Sequence, residues 1–426
     1  MPEFLQLSTL AQALDLWLEA AQPLPLAGAE AVPTESALGR ILAEDVRATS
    51  DLPPFRRTTV DGYAVRGADT FGANPSLPSY LRLVGEVPMG APANLALEAG
   101  TAALVHTGGM LPEASDAVVM IEDTQRLSES EIEVLRPVQV GANVLQQGED
   151  VRQGEIALRA GSPLRPQEIG ALMALGILHV ACRCRIRVGL LSSGDEVVPP
   201  TREPGPGQVR DVNEGGLRAL VALAGGQAAA YGIVPDDPVA LESCMRRAAA
   251  ENHFVIVSAG SSVSVRDSTA EVIRRLGPPG VLVHGLRVKP GKPTILAMAG
   301  KVPILGLPGN PVSALILAHC LAVPMIQAML GARRAPMLPS VSGRLSENVP
   351  SEAGREDFVP VSLDVDQGAI SVSVVHGRSN LIFTLTRADG FLRIPPQATG
   401  LRLGSQVEVY PFPGGLAWPA PIGSRE

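Results

Sequence analysis

A chain of 426 residues is longer than one hydrophobic core usually serves, so several domains are expected. Its 46% hydrophobic and 18% charged residues exclude a disordered chain, and a net charge of −8 with only 3% aromatics excludes a nucleic-acid backbone binder. Four cysteines are too few for a disulfide framework, no apolar stretch reads as long enough to span a bilayer, and Met1-Pro2-Glu3-Phe4 lacks the basic start of a signal peptide. A cytoplasmic protein is therefore expected, with neither nucleic acid nor membrane as partner.

Residues 6–22 carry Leu7, Leu10, Leu14, Trp17 and Leu18 at helical spacing, with Ser8 or Thr9 as N-cap. A second apolar-periodic stretch runs from Thr34 to Ala43. Residues 51–67 read as a loop punctuated by proline and glycine. Short β segments are predicted at 81–84, 102–106, 117–121 and 132–135, as in a separate β module. Pro166 opens a helix reaching about Ile177.

From Arg185 strands alternate with helices. Strands are predicted at 187–191, 227–234 and 254–258. Asp211 and Asn213 cap a helix to about Ala224, and Pro238 opens another. Residues 259–267 read as a Ser/Gly loop before a helix opened by the capping box Ser268-Thr269-Ala270-Glu271. Asn310 caps an apolar helix over 312–330, with Pro311 at its first position. The alternation predicts α/β structure with a parallel sheet. Residues 337–415 revert to short strands, and no repeats are visible.

In an open parallel sheet, ligands bind beyond the carboxyl ends of the strands. Those ends are predicted at 192–196, 235–237, 258–267 and 306–310, and they hold carboxylates, hydroxyls and glycines rather than apolar residues. Two of them lead into helix N-termini, where N–H groups and the dipole favour anions. Carboxylates beside phosphates require a divalent cation between them, and Mg²⁺ is the usual bridge. Lys289 and Lys292 add positive charge. Taken singly, each feature has a plainer reading: Gly194-Asp195-Glu196 as a polar turn, Asp236-Asp237-Pro238 as a helix start, Asn310-Pro311 as a cap. Their common sheet edge joins them. No nucleophilic triad is legible, the six histidines form no metal motif, and Cys182 with Cys184 reads as ordinary packing.

Leu52-Pro53-Pro54-Phe55 followed by Val60-Asp61-Gly62-Tyr63-Ala64 resembles a signature of the molybdopterin molybdenumtransferases (MoeA-type), bacterial enzymes related to the E domain of gephyrin. His106-Thr107-Gly108-Gly109 before Leu111-Pro112, then Gly148-Glu149-Asp150, follow in the family's order. So do Ser193-Gly194-Asp195-Glu196, Asp211 with Asn213, Pro235-Asp236-Asp237-Pro238, Lys289-Pro290-Gly291-Lys292-Pro293 and Leu307-Pro308-Gly309-Asn310-Pro311. The match covers nearly the whole chain.

The resemblance implies a multidomain α/β plus β fold. A central parallel α/β domain, Rossmann-like and molybdopterin-binding, occupies 185–334. A mixed helical/β N-terminal domain combines 1–50 with 141–184, a mainly β module occupies 51–140, and a small β-barrel-like domain occupies 335–426. It implies Mg²⁺-dependent insertion of molybdate into adenylylated molybdopterin with release of AMP. The implied enzyme is a homodimer, its cleft lying between the α/β domain of one subunit and the β module of the other. Molybdopterin adenylyltransferase and molybdoenzymes are the implied pathway partners.

Carried over position by position, the resemblance makes Asp61, Thr107, Asp150, Glu196, Asp236, Asp267 and Lys289 catalytic, with Glu196, Asp236 and Asp267 on the metal. Ser193, Gly194, Asp195, Ser258, Gly260, Ser261, Ser262, Lys292, Pro308, Gly309, Asn310, Pro311 and Ser379 are the residues it places on the cofactor substrate. The chain departs from the family pattern at Val60, usually Met, and at Ala259 and Ser264, both usually Gly. It departs again at Gly285, often basic, and at Pro360, commonly Arg. Tungstate insertion by the same chemistry and a non-catalytic molybdopterin carrier or scaffold are the alternative readings. Retention of Asp61, Glu196, Asp236 and Asp267 favours the enzyme over the carrier.

Overall fold

The computed structural model describes residues 7–22, 27–260, 263–333, 340–366 and 369–412, the side chains of 263–267 and 366 apart. The chain forms two compact units, one of Ala31–Leu38 and Leu42–Ala181, the other of Met1–Glu30, Gly39–Ile41 and Cys182–Glu426. Helix α1 (Leu10–Ala20) belongs to the latter. Thr9 is its cap: Thr9 Oγ1 accepts from the Gln12 N–H (3.3 Å), and Gln12 Oε1 accepts in return from the Thr9 N–H (3.4 Å). The apolar-periodic stretch from Thr34 yields only the single 3₁₀ turn Thr34–Ser36. Gly39 follows at φ +74°, a conformation that ends a helix rather than continuing it.

In the first unit, β1 (Gly62–Val65), β2 (Ser79–Glu86), β3 (Thr101–Val105), β4 (Ala117–Met120), β5 (Thr124–Arg126) and β6 (Glu131–Val134) form one sheet. Its order is β4-β1-β3-β2-β6-β5, antiparallel except where β2 meets β3. The predicted strands of the β module are all present. The segment expected as a loop contributes an interior strand, because β1 is buried at all four residues. Tyr63 and Val65 pack into one core and Ala64 into another, an alternation too short to be read from four residues. Helix α2 (Pro166–Ala174) completes the list, with Gly176 at φ +70° just past its end.

In the second unit, the chain runs β7 (Ile186–Ser193), α3 (Asn213–Leu223), β8 (Gly226–Val234), α4 (Pro238–Glu251), β9 (Phe254–Ala259) and α5 (Val263–Arg275). It continues with β10 (Pro279–His284), β11 (Val288–Lys289), β12 (Ile295–Ala299), β13 (Val302–Pro308) and α6 (Pro311–Met329). The sheet order is β8-β7-β9-β13-β12-β10. It is mixed rather than wholly parallel, because β12 runs against both neighbours. Only Gly300 and Lys301 join β12 to β13, and a two-residue turn permits nothing but an antiparallel pair.

All six residues of β9 are buried. Phe254 and Ile256 pack with α1, α3 and α6; Val255 and Val257 pack with α4 and α5. That is the alternation of a strand covered on both faces. Trp17 of α1 lies edge-on to Phe254 and donates its indole N–H to the Ala297 carbonyl (2.9 Å), so its burial leaves no polar atom unpaired.

Helix α5 begins at Val263, five residues before the expected capping box. Ser264 stands where the resembled family has glycine, and serine interrupts a helix less than glycine does. Helix α6 corrects another expectation. It has 19 residues, a mean hydropathy of 1.8, and by length and composition is apolar enough to cross a bilayer. It is the core helix of the unit, 78% buried there, which accounts for its composition.

Strands β14 (Val341–Leu345), β15 (Glu356–Asp366), β16 (Ala369–Val374), β17 (Gly390–Ile394) and β18 (Gln406–Pro411) close into a barrel, β15-β16-β14-β18-β17 and back to β15. Strand β11 adds to it, Val288 beside Glu356 and Lys289 beside Asp357, in parallel.

Candidate active site

Register aligns the carboxyl ends of the α/β strands. Ser193 pairs with Val234 and with Ala259, and Ala259 pairs with Pro308. Four chain segments therefore leave one edge: Gly194-Asp195-Glu196, Pro235-Asp236-Asp237, Gly260, and Gly309-Asn310. Buried Ser193 donates from Oγ to Asp236 Oδ1 (2.8 Å), and Asp195 Oδ1 accepts from the Asp236 N–H (3.1 Å). Asp195, Glu196 and Asp236 are exposed. Gly194 adopts φ +153°, and a Cβ there would come within 2.8 Å of Glu196 Oε2; glycine leaves the space that the Glu196 carboxylate uses. Ala259, Pro293, Leu307 and Pro308 line a small cavity at this edge. Ser261, Ser262 and the side chain of Asp267 lie outside the described residues.

At the N-termini of α4 and α6, expected to take an anion, one N–H is engaged already. Asp237 caps α4 by accepting from the Ala240 N–H (2.9 Å). At α6 the Val312 N–H donates to the Ser379 carbonyl (3.1 Å), and Asn310 turns Nδ2 to Ser379 Oγ (3.2 Å) instead of capping its helix. At α3, Asp211 Oδ1 accepts from the N–H groups of Asn213 (3.0 Å) and Glu214 (3.1 Å). Asn213 then spends its own amide elsewhere: Nδ2 donates to Ser258 Oγ (2.6 Å) and to the Gly309 carbonyl (2.8 Å). Sequence reasoning made both residues one cap and left Asn213 off the site. The missed signal is a second polar residue at a helix start that Asp211 already satisfies.

Lys289, in β11, and Lys292 are both exposed. Gly291 between them sits at φ +107°, and any side chain there would collide with Leu317 of α6. Gly285 is buried at φ +102°, a conformation in which an L-residue would be strained.

Asp61, Thr107 and Asp150 belong to the other unit. Asp61 precedes β1 and Thr107 lies just past β3; Gly62 pairs with Val105, and this register delivers Thr107 to Asp61. Asp61 Oδ1 accepts from the Thr107 N–H (2.7 Å) and from Thr107 Oγ1 (3.0 Å). These bonds, the backbone one foremost, outweigh desolvation and with His106 hold the Asp61 carboxyl below the usual carboxylate range. Asp150 is exposed, its N–H on the Leu52 carbonyl (2.9 Å), while the Gly148 N–H donates to the Pro53 carbonyl (3.0 Å). The Pro-Pro-Phe and Gly-Glu-Asp segments thus form one turn assembly.

Among the described residues, no three His, Cys, Asp or Glu side chains gather closely enough to hold a metal by themselves. The donors at the α/β edge are hard carboxylate oxygens, which suit Mg²⁺, a cation that commonly takes one or two carboxylates and completes its shell with substrate oxygens and water.

Comparison with known proteins first defines the class. Two solved structures of MoeA molybdopterin biosynthesis proteins from Pyrococcus match with TM-scores of 0.79 and 0.74, at 31% and 36% identity, over 96% of this chain and 100% of theirs. The protein is therefore a MoeA-like multidomain α/β protein. Three family models tile the sequence: "MoeA N-terminal region (domain I and II)" at 8–176, "Probable molybdopterin binding domain" at 189–328 and "MoeA C-terminal region (domain IV)" at 342–412. The molybdopterin molybdenumtransferase of Haemophilus influenzae is 31% identical over 89% of this chain and 92% of its own, and that of Nostoc sp. 32% over 90% and 89%. The chain belongs to the molybdopterin molybdenumtransferase family, transferases of molybdenum cofactor biosynthesis.

Proposed function

We propose that this protein inserts molybdate into adenylylated molybdopterin with Mg²⁺-dependent release of AMP. The observation that carries the reading is the acidic edge of the α/β sheet, Asp195, Glu196 and Asp236 beside Ser258, Gly260 and Pro308-Gly309-Asn310, in a chain of this family. An anionic adenylate linkage would be repelled there unless a cation intervened. Mg²⁺, when bound, offsets that charge and polarises phosphate oxygens. Glu196, Asp236 and Asp267 are the residues to hold it. Asp236 is oriented by Ser193, and its backbone is fixed by Asp195.

Lys289 and Lys292 supply positive charge for the phosphates. Asp61 stays ionised through the neutral range and, steered by Thr107, accepts a hydrogen bond or proton from substrate. Asp150 acts beside it. Ser193, Gly194, Gly260, Ser261, Ser262, Pro308, Pro311 and Ser379 line the substrate in the same reading. The four domains, the homodimer and the pathway partners implied by the resemblance belong to this proposal, and tungstate would follow the same chemistry.

The test is AMP release, followed chromatographically, from adenylylated molybdopterin with molybdate and Mg²⁺, and again with EDTA. Release that needs both protein and Mg²⁺ is expected. Substrate bound and returned intact would make the protein a carrier.

A further inference from the structure

We infer that Asn213 is a positioning residue: its amide sets the spacing between the end of β9 and the loop after β13, and turnover depends on that spacing. The inference rests on the function proposed above. Asn213 is 6% exposed. A carbonyl oxygen only accepts, so the bond to Gly309 fixes which end of the Asn213 amide faces it. Among the described residues its Oδ1 is buried without a hydrogen-bond partner, a cost that the two Nδ2 bonds must outweigh.

The β9–β13 ladder ends at Ala259 and Pro308. Gly309 lies one residue beyond, and Asn213 continues the apposition there by bonding Ser258 and Gly309 together. A Cβ on Gly309 would stand 3.0 Å from the Ala259 carbonyl oxygen, so the two loops meet backbone to backbone at this point. Asn213 is itself placed from the carboxylate side. The Val209 N–H donates to the Glu196 carbonyl (2.8 Å), and the Asp211 N–H to the Val198 carbonyl (2.8 Å). Asp211 then receives the Asn213 N–H. One run of hydrogen bonds thus links the Glu196 turn to the Pro308–Asn310 loop, and Asn213 is its last side chain.

Asn213→Asp keeps the shape but presents no N–H to the Gly309 carbonyl while ionised. Burial raises a carboxyl pKa, so acidification restores one donor within a workable pH range. At pH 8 the variant should release AMP about tenfold more slowly than the unaltered protein, with KM for adenylylated molybdopterin within about twofold, because misplacement is felt in the transition state. Its activity relative to the unaltered protein should rise about fivefold by pH 5.5 as the donor returns. Asn213→Ala, with no donor at any pH, should show no such recovery. Hydrogen exchange of residues 306–312 should quicken in both variants.

Recovery in the alanine variant, full activity of the aspartate variant at pH 8, or a loss that is flat with pH and matched by a lower melting temperature would each overturn the role. Should the unaltered protein release no AMP, the proposed function fails and the role in turnover with it. Exchange then still decides the clamp: unchanged exchange at 306–312 removes it, and faster exchange keeps it as a structural link.

Discussion

The two groups of site residues are built in opposite ways. At the α/β edge, Ser193, Asn213 and Ser258 are buried, and each is fixed by a segment more than forty positions away along the chain. Asp61 and Thr107 are exposed, and their contact depends on the register of a single strand pair. A buried network couples geometry to stability, because losing one partner strands another polar atom. An exposed pair returns its atoms to water when broken. Substitutions of Ser193 or Ser258 should therefore lower stability and turnover together, whereas Asp61 can lose its role with the fold intact.

The sharpest break in this comparison is Glu196, which belongs to the α/β edge yet is exposed. Glu196→Gln keeps the shape and removes the charge, and AMP release should fall about a thousandfold with the melting temperature unchanged. Comparable release at saturating Mg²⁺ would remove Glu196 from the reaction. Next in size is Gly62→Ala, one residue from Asp61. A Cβ there collides with the Val119 carbonyl across the β1–β4 pair, so urea unfolding should show a loss of about 3 kcal/mol or more. A fully stable variant would mean the sheet yields there.

Asp61→Asn should lower turnover about a hundredfold and leave melting almost unchanged. The reverse pattern, lower melting with turnover per folded molecule retained, would make Asp61 structural. In the proposed homodimer, mixing Asp61→Asn with Glu196→Gln subunits sharpens this further. Isolated heterodimers should regain activity if the two residues serve one reaction from different subunits, and no recovery would exclude that arrangement.

The smallest effect belongs to Thr107→Val, which removes the hydroxyl bond and keeps the stronger N–H bond. The Asp61 pKa should then rise part of the way towards its ordinary 3.8. A depressed carboxyl pKa contributes stability above the ordinary value, lost as pH falls through the folded one. The substitution narrows that window from its acid end, and NMR titration of the Asp61 carboxyl reads the change directly.

Local signals carried the sequence reading where structure is local. The continuous apolar run of β9, the proline openings of α2, α4 and α6, and the ordered motifs at the strand ends were all legible. What was hidden depends on partners distant in sequence. Asn310 looks like a cap, but its side chain answers to Ser379, 69 positions on. Asp211 and Asn213 look like one cap, and only the arrival of Ser258 and Gly309 separates their duties. Strand β1 shows no pattern because its glycine and alanine reveal no preference until neighbouring strands bury them.

Strand β11 has a mechanical consequence. It is two residues long, and its main chain belongs to the barrel through Glu356 and Asp357, while Gly291 two residues later is seated against Leu317 in the α/β core. Lys289 is therefore held by barrel pairing on one side and, within two residues, by packing against α6 on the other. A shift of the barrel ladder would be felt at Lys289 through that pairing before it reached Gly291. Through β11, the packing of the barrel sets where that positive charge stands.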